Sequence, residues 1–335
     1  MPEMMQAVLL DDYAEATFRT ARVDRPTPGP GQVLVRVVAV GVNPIDPKIR
    51  TGKSTYAMPE LPAILGTDLA GVVVETGPDV TEFTAGDEVY GLTGGVRGLP
   101  GSMAEYAAVD VRLLSRKPAN LTLREAAALP LVSLTAWEGL VGAANVGPGD
   151  KVLVHAGAGG VGHIGVQLAR ARGAEVFATA STGKLGLVKD LGATAIDYTT
   201  TSVEEYVNAY TGGRGFDVVY DTVGGPVLDQ SFTAVRHYGH VASCAAFGTH
   251  NLAPASLRMA TLHGTFVLLP LLTGERRDEH GRRLREITTL VEQGKIRPVV
   301  DPRRFTLETA MDAHFAVENR TGNVKIVIDV ADGTV

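Results

Sequence analysis

A glycine-rich segment in the middle of the chain constrains the fold more than any other feature. It carries G-x-G-x-x-G at Gly157, Gly159 and Gly162, directly after a short apolar strand and at the start of a helical pattern. That context makes the motif specific. The first glycine permits a tight turn, the second lets the backbone approach a pyrophosphate, and the third lets helix and strand pack closely. The segment predicts a dinucleotide-binding loop that also includes Gly160 and Val161.

Strands and helices alternate through the region that contains this loop. The helical spacing of Val161–Arg172 is followed by an apolar run at Glu175–Ala180 and a second helical run at Leu185–Leu191. Gly173 and Gly192 end the two predicted helices. Such alternation is typical of a parallel sheet covered by helices, so we predict a doubly wound Rossmann domain over residues 127–269.

The first 125 residues have a different sequence pattern, with short β-branched runs separated by Gly and Pro. Examples are Gln32–Val42, Leu69–Val74 and Glu88–Leu92. This spacing predicts a small barrel or folded antiparallel sheet. A charged helix over Gly281–Gly294 and a closing strand over Asn323–Val330 follow the Rossmann region. The chain is therefore predicted to be α/β, with residues 1–126 and 270–335 forming one β-rich domain.

The composition excludes some classes of partner and some kinds of metal site. The net charge of -6 argues against a nucleic-acid partner. The single cysteine, Cys244, rules out an internal disulfide, a four-cysteine zinc site and a CxxC pair. The uncharged stretch Val152–Ala169 is too rich in glycine for a membrane span, so no membrane partner is expected. With no secretory signal visible, we expect a cytoplasmic protein.

The end of the second predicted Rossmann strand bears on the choice of cofactor. An NAD site usually has Asp or Glu there, to bind the ribose 2′-hydroxyl. This chain instead has Thr179–Lys184, which contains no carboxylate. Small hydroxyls and a lysine suit a 2′-phosphate better, so we predict NADPH with Ser181 and Lys184 as contacts. The alternative is that Lys184 is only a solvated lysine at a helix start.

Four segments together resemble the medium-chain dehydrogenase/reductase superfamily, and within it the zinc-free quinone oxidoreductase branch that includes zeta-crystallin. They are Gly41–Asp46, Gly66–Asp68, Ala156–Gly162 and Arg320–Val327. The resemblance covers essentially the whole chain. It implies a GroES-like catalytic domain beside the Rossmann domain, with the active site in the cleft between them. It also implies a homodimer formed through the edge of the Rossmann sheet.

Two of these segments differ from the zinc-dependent alcohol dehydrogenases of the same superfamily. Those enzymes carry Cys-x-x-Asp and Gly-His-Glu where this chain has Asn43-x-x-Asp46 and Gly66–Asp68. Asn and Thr are poor zinc ligands, so we expect no metal. Without a Lewis acid to stabilise an alkoxide, the resemblance implies hydride transfer from NADPH to an acceptor that is already electrophilic. Such acceptors are quinones and other α,β-unsaturated carbonyl compounds.

The loop after the first long strand supplies the candidate catalytic residues. Asn43 is a candidate hydrogen-bond donor to the acceptor carbonyl. Asp46 is a candidate to hold a nearby side chain or a proton-relay water. Zinc-free relatives often have tyrosine where this chain has Lys48, a candidate to bind an enolate; Tyr56 lies later in the same loop. The alternatives are that Asn43 is only a turn residue, that Asp46 is an exposed loop carboxylate and that Lys48 is a surface lysine.

Further cofactor contacts follow from positions that match the family. They are Thr135, Tyr198, Phe247 and Asn323. For each of them, a packing role is the alternative.

Two other functions compete with a quinone or enone reductase. An enoyl thioester reductase would need a basic patch for a carrier phosphate, and five arginines between Arg276 and Arg285 form one. A solvated helix face explains such a cluster equally. The other competitor is a non-catalytic, crystallin-like NADPH-binding protein.

Overall fold

The structure of the protein is a computed structural model that describes residues 3–331. The chain forms two compact units. Among the described residues, unit 1 comprises 3–131, Leu268–Glu292 and 298–331, and unit 2 comprises Val132–Val267 and Gln293–Arg297. The chain passes from unit 1 to unit 2 after Leu131 and back after Val267. The sequence did not indicate that Gln293–Arg297 returns to unit 2, where Gln167 bonds both backbone groups of Arg297.

The N-terminal part of unit 1 consists of short strands separated by turns, as the Gly and Pro spacing predicts. The strands are β1 Met4–Leu10, β2 Phe18–Asp24, β3 Gln32–Val42, β4 Ala63–Ile64, β5 Asp68–Thr76, β6 Glu88–Leu92, β7 Tyr106–Asp110 and β8 Leu114–Arg116. The helices are α1 Ile45–Arg50 and α2 Leu123–Ala127. Thr122 and Glu125 cap α2 reciprocally in a capping box.

Helix α1 corrects the prediction that the segment after β3 is a loop. Pro44 supplies a helical φ of -57° immediately before the helix. The side chain of Asp46, in the first turn, accepts a hydrogen bond from the backbone N–H of Asn43 at 2.7 Å. These two features fold the segment into a helical turn, and they bury Asp46 where the alternative interpretation had an exposed loop carboxylate.

Unit 2 alternates strands and helices. The elements are α3 Pro130–Trp137, which starts at the junction, β9 Lys151–Val154, α4 Gly162–Ala171, β10 Glu175–Ala180, α5 Leu185–Asp190, β11 Thr194–Asp197, α6 Val203–Thr211, β12 Phe216–Asp221, α7 Pro226–Ala234, β13 Val235–Ser243, α8 Ala253–Ser256 and β14 Thr261–Gly264. The strands run parallel in the order β11-β10-β9-β12-β13-β14. This is the strand order of the doubly wound dinucleotide-binding fold. Aromatic side chains fill its core, including Phe177, Phe216 and Phe232.

The C-terminal segment adds α9 Leu269–Thr273, α10 Arg277–Glu292, β15 Phe305–Thr306, α11 Ala310–Glu318 and β16 Ile326–Asp329. Helix α10 begins four residues before the predicted Gly281, because Asp278 and Glu279 favour its first turn. Strand β16 is shorter than the predicted Asn323–Val330. Among the described residues, no helix combines the length and apolar character needed to cross a membrane.

Two sheets organise unit 1. One has the order β2-β1-β4, and the other has the order β15-β16-β3-β5-β6-β8, with β7 also paired to β3. In the larger sheet, β16 runs antiparallel to β3 and pairs Ile326 with Val42. Strand β5, which starts at Asp68, lies on the other side of β3. The end of β3 and the starts of β5 and β16 therefore meet at one end of the sheet.

Candidate functional site

Unit 2 carries the predicted glycine loop, Ala156–Gly162, which follows β9 and ends at the first residue of α4. A Cβ on Gly157 would lie 2.5 Å from the Cβ of Ala178, and one on Gly162 would lie 2.1 Å from the carbonyl oxygen of Ala156. These two glycines are therefore required by packing. Around Gly159 the nearest such atom is 3.1 Å away, again the Ala156 oxygen. Gly159 thus keeps an accessible backbone, which suits the close approach of a pyrophosphate.

Hydrogen bonds from flanking residues hold the glycine loop. Ala156 has a φ of +52°, a strained conformation for a residue with a Cβ. Its N–H donates to Thr179 Oγ1 at 3.1 Å, and the N–H of Gly157 donates to the Thr179 carbonyl at 2.9 Å. At the other end, His163 Nδ1 lies 2.7 Å from the carbonyl oxygen of Gly160. Sequence reasoning missed Thr179 and His163 because neither belongs to the motif.

The glycine loop leads directly into an α-helix. Val161 immediately precedes α4, which spans ten residues. The backbone N–H groups at a helix start and the helix dipole favour an anion there. The open Gly159 backbone and this helix start together fit the pyrophosphate of a dinucleotide.

The turn after β10 contains the residues predicted to contact a 2′-phosphate. Ser181 is half-buried, and Lys184 is exposed at the start of α5. Tyr198, which follows the adjacent strand β11, is 60% exposed. Asp197, the last residue of β11, accepts a hydrogen bond from Thr182 at 2.6 Å. Sequence reasoning missed this carboxylate because it considered only the end of β10.

The remaining predicted cofactor contacts lie in different parts of the fold. Thr135 is buried in α3, where its carbonyl oxygen accepts a hydrogen bond from Tyr220. Phe247 follows β13 and is 61% exposed, so its ring is available to a ligand. Asn323 belongs to unit 1 and precedes β16, where its N–H donates to Asp301.

A second group of polar residues is buried at the sheet end of unit 1. We call it the polar cluster; its members are Asn43, Asp46, Thr67, Asp68 and Lys325, each at most 2% exposed. Lys325 Nζ donates to Asn43 Oδ1 at 2.5 Å. Asn43 Nδ2 donates to Thr67 Oγ1 at 3.1 Å and to Asp68 Oδ2 at 2.8 Å. The Asn43 amide is thus fully engaged within the cluster.

The two carboxylates of the cluster are positioned by backbone groups. Asp46 Oδ2 accepts from the N–H of Asn43, and Asp68 Oδ1 accepts from the N–H of Leu131 at 3.0 Å. Asp46 Oδ1 is buried and has no hydrogen-bond partner within residues 3–331. Burial disfavours charge and raises the pKa of Asp46 to about 6. Burial likewise raises the pKa of Asp68 and lowers that of Lys325.

Lys325 is the member that sequence reasoning missed. It lies just before β16 and next to Asn43 across the sheet, although 282 positions separate the two residues in sequence. The available signal was a lone lysine immediately before the apolar run Ile326–Ile328, a place where an exposed lysine is not expected.

The polar cluster does not have the donor set of a zinc site. Zinc takes thiolate, imidazole and carboxylate ligands. The cluster offers an amide, a hydroxyl and two carboxylates, with an ammonium already among them. Within the described part of the chain, no group of three or more His, Cys, Asp or Glu side chains is arranged to hold a metal ion.

The third predicted catalytic residue, Lys48, lies in α1 with an exposed side chain. Asn43 and Asp46, by contrast, are buried in the polar cluster. The structure therefore brings two of the three predicted catalytic residues together. Tyr56, named as a possible substitute for the family's tyrosine, is 39% exposed.

Comparisons with known proteins identify relatives of both units. Residues 29–119 match the family described as "Alcohol dehydrogenase GroES-like domain", and residues 160–279 match the family described as "Zinc-binding dehydrogenase". A 2-methylene-furan-3-one reductase from Solanum lycopersicum is 37% identical, with 98% of this chain and 80% of that protein covered. A chloroplastic NADPH-dependent alkenal/one oxidoreductase from Arabidopsis thaliana is 36% identical over the same shares.

Solved structures of similar proteins also include oxidoreductases of this kind. An alcohol dehydrogenase superfamily protein from Novosphingobium aromaticivorans is 51% identical, with a TM-score of 0.95 over 98% of this chain and all of that chain. A quinone oxidoreductase from Coxiella burnetii is 30% identical, with a TM-score of 0.82 over the same shares. The CurK enoyl reductase is 26% identical, with a TM-score of 0.86 over those shares as well.

Proposed function

Because this chain belongs to the medium-chain dehydrogenase/reductase superfamily, as an oxidoreductase with a nicotinamide cofactor, we propose that it transfers hydride from NADPH to an activated acceptor without a metal ion. The acceptor is a quinone or another α,β-unsaturated carbonyl compound. The relatives named for reduction of a methylene-furanone and of alkenals and alkenones support this acceptor class.

The buried ammonium of Lys325 is the observation that carries the metal-free proposal. It donates to Asn43 within a cluster that contains Asp46 and Asp68. Zinc-dependent members of the superfamily have their ligands in these same two sequence segments. The positive charge of a protonated Lys325, which acts electrostatically on both carboxylates, disfavours a divalent cation by charge repulsion. The chain thus supplies its own positive charge where those relatives use a metal.

The cofactor contacts predicted from the sequence, most of them in unit 2, are proposed to hold the cofactor. The glycine loop and the start of α4 bind the pyrophosphate, and Ser181, Lys184 and Tyr198 contact the 2′-phosphate. Thr135, Phe247 and Asn323 are proposed to contact the nicotinamide portion. The reduced nicotinamide, when bound, supplies the hydride. The protein contributes orientation and a dry environment.

We assign Asn43 and Asp46 a positioning role rather than direct contact with the acceptor. Both hydrogens of the Asn43 amide are donated to Thr67 and Asp68, and Asp46 holds the backbone of Asn43. Reduction of an enone leaves a negative charge on the carbonyl oxygen, which requires a donor. Lys48, on the exposed side of α1, is the predicted catalytic residue that retains a free cationic head.

An enoyl thioester reductase is the second candidate, favoured by the similarity to the CurK enoyl reductase. It requires cationic groups for a carrier phosphate. The proposed arginines are partly engaged: Arg277 bonds Asp110, and Arg276 and Arg283 bond Glu279. This engagement favours a small acceptor without phosphate.

We further propose a homodimer formed through β14. This strand lies at the edge of the parallel sheet, and it exposes 40% of Leu262. Leu257 and Met259, just before it, are 82% and 68% exposed. An unpaired apolar edge strand favours pairing with another chain. A cytoplasmic location is proposed as well, since a chain with a single cysteine is compatible with a reducing compartment.

Oxidation of NADPH in the presence of different acceptors tests the proposed function. The panel contains an alkenal, a cyclic enone, a quinone and an enoyl-CoA, with a simple alcohol plus NADP⁺ as control. We expect turnover with the enone, alkenal or quinone and none with the alcohol. Turnover of the alcohol alone, or of no acceptor despite tight NADPH binding, would contradict the proposal.

A further inference from the structure

A carboxylate lies beside the turn that is proposed to bind the 2′-phosphate. Asp197 is the last residue of β11, and in the parallel register it pairs with Ala180, the last residue of β10. Ser181 follows Ala180 directly. In dinucleotide-binding folds, the residues after the second strand lie next to the adenosine ribose. Asp197 therefore reaches the ribose region from the neighbouring strand, although no carboxylate stands at the end of β10.

Three hydrogen bonds fix the Asp197 side chain in this position. Oδ2 accepts from Thr182 Oγ1 at 2.6 Å, and Oδ1 accepts from the N–H and Oγ1 of Thr199 at 2.9 and 2.6 Å. These donors stabilise the ionised form and lower the pKa of Asp197 below its usual value. The carboxylate is therefore a fixed negative charge at neutral pH.

The same hydrogen bonds change what the turn offers to a phosphate. Thr182 has a single hydroxyl hydrogen, which is directed to Asp197, so toward an anion it presents only lone pairs. Asp197 Oδ2 accepts this one bond, and a carboxylate oxygen accommodates about two. A free ribose hydroxyl is a suitable second donor to this oxygen.

We propose that Asp197 is a specificity-determining residue that weakens binding of NADPH and strengthens binding of NADH, so that the enzyme uses both. This inference rests on the proposed function. The carboxylate repels a 2′-phosphate, and it accepts a hydrogen bond from the 2′-hydroxyl of a cofactor that lacks the phosphate. Lys184 acts in the opposite direction, because its ammonium attracts the phosphate and has no counterpart in NADH.

The test uses the full chain and compares both cofactors with one fixed enone. Asp197→Asn removes the charge and keeps an oxygen acceptor for Thr199. Removal of one charge near the phosphate should lower KM for NADPH about fivefold, and loss of the charged acceptor should raise KM for NADH about fivefold. Lys184→Ala should raise KM for NADPH more than tenfold with little effect on NADH. Asp190→Asn, at the end of α5, is the matched control for loss of an exposed carboxylate.

Salt dependence separates a charge effect from a structural one. The gain of Asp197→Asn with NADPH should shrink as ionic strength rises, because exposed charges are screened. Equal changes for the two cofactors, or a shift as large in Asp190→Asn, would overturn the inference while leaving the proposed function intact. Failure of the unmodified protein to bind or oxidise either nucleotide would instead overturn the proposed function.

Discussion

The glycine loop of unit 2 and the polar cluster of unit 1 both lie where β-strands end, yet they are built in opposite ways. The loop is a contiguous segment of backbone, and around Gly159 it leaves space for a ligand. The cluster is assembled from three distant segments and is closed, with every member at most 2% exposed. The loop offers a backbone and a helix start to an anion, whereas the polar groups of the cluster bond mainly to one another.

This difference explains why the glycine loop could be predicted from the sequence and the polar cluster could not. A loop whose function resides in local backbone geometry leaves a local motif. A cluster that depends on β16 pairing with β3 requires the tertiary fold, and Lys325 is recognisable as its cation only when Asn43 is beside it. The shared hydrogen bonds also imply that the cluster responds to mutation as a unit.

The largest effect should come from removing the cation of the cluster. Lys325→Met leaves Asp46 and Asp68 buried without the cation that acts electrostatically on both, and a buried charge left without compensation costs about 3–5 kcal/mol. We therefore expect a loss of this size in the free energy of unfolding, measured by denaturant titration at neutral pH. Lys295→Met, at an exposed lysine, should change it by less than about 0.5 kcal/mol.

A triple variant separates charge from packing in this result. Lys325→Met combined with Asp46→Asn and Asp68→Asn removes all three charges together. Much of the lost stability should return, because full replacement of a buried ion group is often close to neutral. If the triple variant is as unstable as Lys325→Met, the cluster is held by packing rather than by charge.

Two substitutions in the glycine loop should give contrasting results. Gly162→Ala brings a Cβ to 2.1 Å from the Ala156 oxygen and should destabilise unit 2. Gly159→Ala meets that oxygen at 3.1 Å, so the protein should fold with at most about 1 kcal/mol lost while NADPH binding weakens at least tenfold. Gly147→Ala, with no atom within 4 Å, is the control. Thermal melting and nucleotide titration measure the two effects, and tight binding by Gly159→Ala would contradict the loop's role.

A smaller effect should appear in the dependence of stability on pH. The pKa of Asp46 is raised to about 6 in the folded protein, from a usual value near 4. The folded state therefore binds this proton more tightly, and its stabilising effect is lost as pH rises from about 4 to 6. Asp46→Asn should gain stability relative to the unmodified protein across this range, on the order of 2 kcal/mol. If the difference in free energy of unfolding between the two proteins stays constant from pH 4 to pH 7, the pKa of Asp46 is not raised by burial.

The fold was largely predictable because its signals are periodic or local. The alternation after residue 150 predicted the parallel sheet, and the comparisons and the structure confirm the Rossmann and GroES-like classes. Helix α1 was missed because Pro44 suggested a turn, although the Asp46 side chain and a helical proline φ start a helix there. Asp197 and Lys325 were missed since each acts across strands, and a single sequence carries no signal for that pairing.

The metal content and metal dependence of the enzyme test most directly whether the Lys325 ammonium replaces the zinc ion of related dehydrogenases. The purified protein is dialysed against a strong chelator, its zinc content is measured, and NADPH oxidation with an enone is assayed before and after dialysis. We expect far less than one zinc per chain and unchanged turnover. Loss of activity on chelation that is restored by one equivalent of zinc would contradict it.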